Sequence, residues 1–306
     1  MDFSKLLFRC SSLGHLLAET KEKSNMQKWI DAKTNYSKLM ADLNTMQKFN
    51  KDGETISANW KKKNESLISA GKLESELFAV KDNITLSEGA KTHLMDLYVS
   101  ITTGRNTDIE NKYLKKGNAV EEDSITLYSR IKKQMFIKNE ERLSNKFIQG
   151  TPDTWIGESV HNATFVPDMK SSWDLYTFYR TFTKPLSSLY FWQIVGYMWL
   201  TKAKKGSIAY CLVNTPKDFI DAEHKKMYYK MGQPAEGTKK FATFLEFCDD
   251  IKKSMTYDDI DYRKRLLEYF VDWSDDYAIK IEKYVIEGRE YLSEIHKSLT
   301  LKQGLQ

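Results

Sequence analysis

The feature that most restricts the fold is the confinement of strand-forming sequence to the middle of the chain. Residues 26–49 carry apolar side chains at alternating steps of three and four, and a similar stripe runs from Tyr277 to Leu299. This spacing is typical of amphipathic helices. Between these helices lie short β-prone stretches, around Phe136 and at 146–156, 164–171 and 208–213. The order of helix, strands, helix and strand along the chain predicts a small mixed sheet flanked by helices.

Further helix signals surround the strand-forming segments. Lys51-Asp52-Gly53 separates the first helix from a second polar helical stretch, which predicts an antiparallel pair. Ser87 followed by Glu88 predicts a capped helix that ends near Gly104. Other helices are expected at 117–132, 173–182 and 186–202, and mainly helix beyond Pro216. We expect a helical region 1–86 that packs on the core, a core at 87–216 and a mainly helical region 217–306.

The composition narrows the class of protein. Basic residues exceed acidic ones by only 47 to 42, so a nucleic-acid partner would need a local basic patch. The three cysteines are widely spaced with no Cys-x-x-Cys pair, which argues against a disulfide framework, a structural zinc site or an iron–sulfur cluster. The longest mainly apolar run, 186–200, is interrupted by polar residues and is shorter than the roughly 18 residues of a membrane span. We expect a cytoplasmic protein with no membrane partner.

Two opposite charges end the short apolar stretch that begins at Phe165. Because side chains alternate along a strand, Asp168 and Lys170 are expected on one face and Met169 on the other. Such a carboxylate can bind a divalent metal, with the ammonium beside the attacking water. Taken alone, the Asp-x-Lys pattern also fits a surface ion pair at a strand end.

A second carboxylate lies one hairpin earlier, in the β-prone segment Gln149-Gly150-Thr151-Pro152-Asp153. Antiparallel pairing with the later strand, with a turn near 157–162, would bring Asp153 opposite Asp168. Facing carboxylates repel each other unless a cation bridges them, and Mg²⁺ prefers oxygen ligands. The pair therefore predicts a magnesium site, whereas Asp153 alone would fit a turn-capping residue.

The helix at 117–132 supplies a third acidic candidate. Glu121 shares a helix face with Ile125 and Tyr128, so its carboxylate is expected on the apolar side. A buried carboxylate without a partner is costly, which favours a metal contact for Glu121. The neighbouring Glu122 and Asp123 fit the ordinary preference for acidic residues at a helix N-terminus.

A polar pair also interrupts an otherwise apolar helix surface. Gln193 and Tyr197 lie one turn apart in the helix at 186–202. A buried amide needs hydrogen-bond partners, and the nearby lysine or a phosphate would serve, as would a backbone group. Gln193 is therefore a candidate site residue.

Together, these motifs resemble the core of the PD-(D/E)XK nuclease superfamily in order and secondary structure. Within it, Met198-Trp199-Leu200-Thr201-Lys202 is similar to the run that follows the Gln in YqaJ-type viral recombination nucleases, typified by lambda exonuclease. The resemblance spans about residues 87–216. It implies an α/β (α+β mixed), restriction-endonuclease-like core with helical N- and C-terminal elaborations.

The resemblance also implies a chemistry. Asp153, Asp168 and the backbone carbonyl of Met169 would bind one Mg²⁺, for which Mn²⁺ would substitute. Glu121 would help to bind a second ion, and Lys170 would be the catalytic lysine in a site that includes Gln193. The implied DNA-binding residues are Thr151, Arg9 and Ser12, which would receive a terminal 5′ phosphate, and Tyr197.

The implied function is 5′-to-3′ exonuclease digestion of linear double-stranded DNA in phage recombination or repair. A ring trimer and a single-strand annealing protein are the partners that the resemblance suggests. One alternative is a RecB-like or CRISPR-associated type of nuclease that acts on single strands or flaps. Another is a non-catalytic DNA-binding or assembly protein, which would use the helical flanks and the Lys/aromatic segment from Tyr262 to Trp273.

Overall fold

The computed structural model describes residues 2–18, 25–51, 53–81, 83–105 and 111–302. The chain forms two compact units, Ala18–Thr92 and a larger unit made of Met1–Leu17 with His93–Gln306. The division into three regions at residues 86 and 216 stays a prediction. In the described part of the chain, no helix is both long and apolar enough to cross a bilayer.

The helices and strands follow one another in mixed order. The helices are α1 Leu13–Leu16, α2 Asn25–Thr45, α3 Ala58–Val80, α4 Glu88–Thr103, α5 Lys112–Ala119, α6 Glu121–Lys132, α7 Leu175–Thr181, α8 Ser188–Thr201, α9 Lys217–Lys230, α10 Lys239–Met255 and α11 Asp275–Lys302. The strands are β1 Phe8–Arg9, β2 Leu143–Ser144, β3 Ile148–Gly150, β4 Ile156–Ser159, β5 Asn162–Ser171, β6 Lys205–Cys211 and β7 Leu266–Asp272. Short 3-10 turns occur at Cys10–Ser12 and Tyr262–Lys264.

The smaller unit contains the predicted helical pair, α2 and α3. Trp29, near the start of α2, donates to Glu74, near the end of α3, at 2.7 Å. Asp42, near the end of α2, pairs at 2.7 Å with Lys63, near the start of α3. The pair is therefore antiparallel, as predicted. Asp52 of the intervening break lies outside the described residues.

The larger unit is built on two small mixed sheets. One has the order β1-β3-β2 and the other the order β4-β5-β6-β7. In the second sheet β4 and β5 form an antiparallel hairpin, β5 and β6 are parallel, and β7 is antiparallel to β6. The predicted fold class, a small mixed sheet with helices around it, is confirmed.

Two helices cover opposite faces of the four-stranded sheet. On one face, side chains of α6 pack with Met169, Ala209 and Cys211 in a buried cluster. On the other face α8 lies so close to β6 that a Cβ on Gly206 would stand 2.8 Å from Ile194. Helix α8 is buried almost all round, from Trp192 to Met198, which explains why its sequence shows no clear polar face.

Local signals fix the ends of the helices near the sheet. The Asp174 side chain accepts from the Thr177 N–H at 2.7 Å and caps α7, while Ser187 caps α8. At its other end α8 stops at Lys202, which adopts the left-handed conformation with φ 63°. Capping of this kind satisfies backbone groups that a helix end leaves unpaired.

Three expectations for this unit are wrong. The single helix predicted at 117–132 begins earlier and is interrupted at Val120, whose φ of −117° and ψ of 17° leave the helical region, so that Glu121 starts α6. Phe136 is buried beside α6 but belongs to no strand. The first strand of the predicted hairpin is misplaced, because Ile148–Gly150 forms β3 of the other sheet and β4, Ile156–Ser159, lies in the predicted turn. The chain beyond Pro216 is mainly helical, but Leu266–Asp272 forms β7. Most of the Lys/aromatic segment proposed for DNA binding is therefore part of the central sheet.

Candidate active site

The Asp-x-Lys motif lies on β5, between β4 and β6 in the sheet. Asp168 is completely buried, and its Oδ2 lies 2.6 Å from Lys170 Nζ. Met169 points to the opposite face, into the cluster on α6. The two charges therefore share one face, as predicted, and the alternative of a surface ion pair is wrong for Asp168. The pair faces α8.

Asp153 approaches the same strand from the turn that precedes β4. Its Oδ2 accepts the Met169 N–H at 3.1 Å. The β4–β5 ladder ends at the pair Ile156 and Phe165, so Asp153 lies beyond the ladder instead of within it. The Asp153 carboxylate therefore accepts the Met169 N–H, which the backbone carbonyl of a neighbouring strand would otherwise accept.

The turn around Asp153 is held on both sides by hydrogen bonds. The Asn139 N–H donates to the Asp153 carbonyl at 2.8 Å, and the Asn139 amide donates to the Pro152 carbonyl at 3.1 Å. The buried Thr154 hydroxyl donates to the Pro167 carbonyl at 3.2 Å. These contacts fix the position of Asp153 relative to β5.

The electrostatics of the site are those of a crowded, buried set of charges. Burial raises the pKa of Asp153, and the charges of Asp168 and Glu121 raise it further against the opposing effect of Lys170. Burial alone would lower the pKa of Lys170, but Asp168 and Asp153 raise it above the ordinary value. Lys170 is therefore a protonated counter-charge, and the carboxylates favour additional positive charge nearby.

Glu121 lies at the rim of this group. It occupies the first turn of α6, its side chain is 27% exposed, and its Oε2 lies 2.6 Å from Lys138 Nζ. Glu121 shares α6 with the buried Ile125 and Tyr128, but its carboxylate is only partly buried, because it lies at the first residue of the helix and pairs with Lys138. Its effect on the pKa of Asp153 places it within electrostatic reach of that carboxylate.

Gln193 and Tyr197 face the motif from α8. The Gln193 amide donates to Asp168 Oδ1 at 3.4 Å and to the Tyr197 hydroxyl oxygen at 3.2 Å. Both side chains are buried. Burial, followed by the charge of Asp168, raises the pKa of Tyr197 well above its ordinary value, so the phenol is neutral. The amide thus bridges the carboxylate and the phenol.

The three candidates for terminal-phosphate binding lie in the neighbouring small sheet or directly after its strands. Arg9 in β1 pairs in register with Gln149 of β3, two residues before Thr151. The Ser12 hydroxyl donates to the Arg9 carbonyl at 3.0 Å. A Cβ on Gly150 would lie 2.7 Å from the Tyr197 ring. The end of β3 is therefore adjacent to Tyr197, and the structure places these residues on one side of the Asp168 site.

The donor set fits a hard divalent cation. Its candidates are the carboxylates of Asp153 and Asp168 and the carbonyl of Met169, which points to the same strand edge as the N–H that Asp153 accepts. Within the described residues, no three His, Cys, Asp or Glu side chains converge on one point. Asp168 Oδ2 is buried and accepts no hydrogen bond of normal geometry from those residues. A sparse set of oxygen ligands that leaves room for water suits Mg²⁺.

Sequence reasoning missed the residues that support this site. Asn139 and Thr154 donate hydrogen bonds to backbone carbonyls near Asp153. Asn and Thr side chains make such bonds at many ordinary turns, so their presence alone does not indicate a site. Tyr190 lies with its ring 5.3 Å from Lys170 Nζ, and its position three residues before Gln193 on α8 is the one signal that could have indicated it.

Comparison with known proteins supports the fold. No protein-family model and no curated protein matches the sequence. A phage-related exonuclease from Haemophilus somnus 129PT superposes with a TM-score of 0.61 at 20% identity, over 96% of this chain and 97% of that one. The chain therefore shares the fold of this exonuclease over nearly its whole length. The predicted resemblance is confirmed at the level of the fold.

Weaker matches include an alkaline exonuclease from Laribacter hongkongensis. It superposes with a TM-score of 0.46 at 13% identity, over 72% of this chain and 88% of that one. Its complex with dAMP gives a TM-score of 0.45 at 14% identity, over 71% and 87%.

Proposed function

We propose that this chain is a magnesium-dependent deoxyribonuclease that degrades linear double-stranded DNA from its ends in the 5′-to-3′ direction. The observation that carries the proposal is the ion pair of the buried Asp168 with the partly buried Lys170, with Asp153 hydrogen-bonded to Met169 between them. A buried carboxylate pair is electrostatically unfavourable unless it has a function that needs the charge. The likeness in fold to a phage-related exonuclease supports the same reading.

In this proposal Asp153, Asp168 and the Met169 carbonyl hold Mg²⁺, and Glu121 contributes from the rim. When bound, the metal supplies the charge that polarises the phosphate and lowers the pKa of attacking water. Lys170 keeps its proton beside Asp168 and stabilises negative charge at the phosphate. Gln193 orients the Asp168 carboxylate. Thr151, Arg9 and Ser12 would hold a terminal phosphate on the Tyr197 side of the site.

A terminal-phosphate site would restrict the substrate to DNA with ends. A setting in phage recombination or repair, a cytoplasmic location, a ring trimer and a single-strand annealing partner remain predictions from the resemblance, as does replacement of Mg²⁺ by Mn²⁺.

The test compares linear, 5′-phosphorylated duplex DNA with covalently closed circular DNA of the same sequence. Release of nucleotides is measured with Mg²⁺ and with EDTA. We expect digestion of the linear DNA with Mg²⁺, no digestion in EDTA and an intact circle. Nicking of the circle would contradict the end-dependent activity, and hydrolysis in EDTA would contradict the role of the metal.

A further inference from the structure

A cavity of about 330 Å³ opens beside Lys170 at the end of β5. Its walls are the segment 170–173, α5, α7 and the start of α8. The volume lies at the lower end of the range for small-molecule sites in proteins. We call this cavity the basic cleft, because four basic side chains line it. They are Lys116, Lys170, Arg180 and Lys184, and none of the described residues that line it is acidic.

The four cations are not equivalent. Lys116 is buried and donates to the carbonyls of Ser172 and Trp173 at 2.7 and 2.6 Å, so it holds the wall of the basic cleft in place. Lys170 is paired with Asp168. Arg180, near the end of α7, and Lys184, in the turn that follows it, are exposed and form no ion pair with any described residue. Their charge is available to an anionic ligand.

Aromatic rings line the same cavity. Tyr113 and Trp173 meet edge to face, with ring centroids 5.1 Å apart, and Tyr113 is 58% exposed. Tyr190 and Tyr210 form a second edge-to-face pair at 6.1 Å. Unpaired cations beside accessible rings are the features that bind nucleotides of a single strand, through phosphates and stacked bases.

The position of the basic cleft relative to the proposed site follows from α8. Tyr190 lines the cleft, Gln193 contacts Asp168, and Tyr197 lies against the end of β3 near Thr151. Tyr190 and Tyr197 are about 10 Å apart along the helix axis, at 1.5 Å per residue. The cleft and the terminal-phosphate candidates are therefore on opposite sides of Asp168.

We infer that the basic cleft binds the DNA strand on the side of the scissile phosphate away from the strand end. Arg180 and Lys184 hold the phosphate on the 3′ side of the nucleotide that follows the scissile phosphate, and the base of this nucleotide packs on the rings of Tyr113 and Trp173. This inference rests on the proposed function and extends it, because it assigns a second nucleotide subsite next to Lys170. A DNA strand bound both in the basic cleft and at the terminal-phosphate candidates would have its scissile phosphate held beside Asp168.

The first test measures binding without hydrolysis. The dissociation constant of a 5′-phosphorylated dT10, labelled at its 3′ end, is measured by fluorescence anisotropy in EDTA, at about 0.1 M salt, where distant exposed charges are screened. We expect the double variant Arg180→Ala/Lys184→Ala to bind roughly tenfold more weakly. The control Lys283→Ala/Lys297→Ala removes the same charge from exposed positions of α11 that do not line the cleft, and should bind like wild type. Equal binding by both double variants would overturn the inference.

A second variant tests the stacking contact. Tyr113→Ala should weaken binding roughly fivefold or more, whereas Tyr113→Phe should retain it because the ring is kept. Tyr113 is exposed, so the fold should tolerate both changes. Wild-type binding by Tyr113→Ala would contradict the assigned base position.

Photocrosslinking then tests the position of the nucleotide. A dT10 with 5-iodouracil at the second position from the 5′ end should crosslink to Tyr113 or Trp173, as mapped by mass spectrometry, and one with 5-iodouracil at the first position should not. The reverse result, or crosslinks only outside the basic cleft, would overturn the inference.

The two proposals fail in different ways. If wild type degrades linear DNA with Mg²⁺ but Arg180→Ala/Lys184→Ala binds dT10 normally, the basic cleft is wrong and the nuclease stands. If wild type hydrolyses no DNA, the proposed function is wrong whatever the oligonucleotide affinity.

Discussion

At the scale of single residues, the site depends on one buried ion pair. Removing one member of such a pair typically costs about 3–5 kcal/mol, because the other charge is left buried and uncompensated. Lys170 keeps 22% of its side chain exposed, which places this pair toward the lower end of that range. Two further carboxylates, Asp153 and Glu121, act on the same region. The balance of charge there is therefore sensitive to a single substitution.

Lys170→Met keeps the length of the side chain but removes its charge. We expect the rate of DNA hydrolysis to fall about 10²- to 10³-fold, the loss typical for one group that stabilises transition-state charge. We also expect lower thermal stability in EDTA and a larger gain from Mg²⁺ than in wild type, because the metal is then the remaining counter-charge. Activity and thermal unfolding with and without Mg²⁺ measure both effects.

Lys205→Met is the matched control, since Lys205 is an exposed lysine at the start of β6. Lys205→Met should change neither the rate of DNA hydrolysis nor the thermal stability appreciably. A Lys170→Met variant that hydrolyses DNA at the wild-type rate would exclude a catalytic role for Lys170.

The sequence could predict those residue positions that depend on local geometry alone. The alternation along a strand placed Asp168 and Lys170 on one face, and the structure agrees. The partial exposure of Glu121 depends on the interruption at Val120, which puts it at a helix start, and on an ion pair with Lys138, seventeen residues away. Neither has a sequence signal of its own.

At the scale of elements, α8 is held by a close contact with α1. A Cβ on Gly14 would lie 2.4 Å from the Cα of Leu189. This neighbour is backbone and cannot move without shifting a helix, so only glycine fits. Since α8 carries Gln193 and Tyr197, the same contact sets the distance of these side chains from β5.

Gly14→Ala should therefore lower the free energy of unfolding by about 1–3 kcal/mol, the usual cost of overpacking. Gly117→Ala is a matched change, because Gly117 lies in α5 with no atom within 4 Å of the added Cβ. There, alanine should stabilise by about 0.5–1 kcal/mol, since glycine is a poor helix former. Urea unfolding of both variants measures the difference. Equal stability of the two would contradict the close approach of α1 and α8.

Strand β7 shows why some elements could not be predicted. Its buried Glu268 accepts from Tyr128 on α6 and from Ser207 on β6, each at 2.6 Å, and pairs with Lys132. These contacts bridge more than sixty residues of sequence. The segment Tyr262–Trp273 begins with basic and aromatic residues and contains a glutamate, so its sequence does not indicate a strand. The pairing of β7 with β6 was therefore missed. Strand β5 and helix α8 were predicted because their signals are local, whereas the first strand of the hairpin was placed too early, with β4 in the predicted turn.

At the scale of the whole molecule, the two small sheets bring separate stretches of sequence to one place. Strand β5 supplies Asp168 and Lys170, the turn before β4 supplies Asp153, and α8 supplies Gln193. The candidates for end binding lie in or directly after β1 and β3. The likeness to a phage-related exonuclease covers 96% of the chain, well beyond the stretch 87–216 that carried the resemblance in sequence. The helical flanks are thus part of the shared fold.

The central claim is that Asp153, Asp168 and Lys170 form the hydrolytic site. The most direct measurement is the initial rate of Mg²⁺-dependent release of nucleotides from linear duplex DNA by wild type, Asp168→Asn and Glu158→Gln. Asp168→Asn keeps the shape of a buried side chain but removes its charge, whereas Glu158 is an exposed carboxylate on β4 of the same hairpin. We predict that Asp168→Asn loses activity at least about 10²-fold, while Glu158→Gln keeps the wild-type rate. Wild-type activity in a correctly folded Asp168→Asn variant would contradict the account.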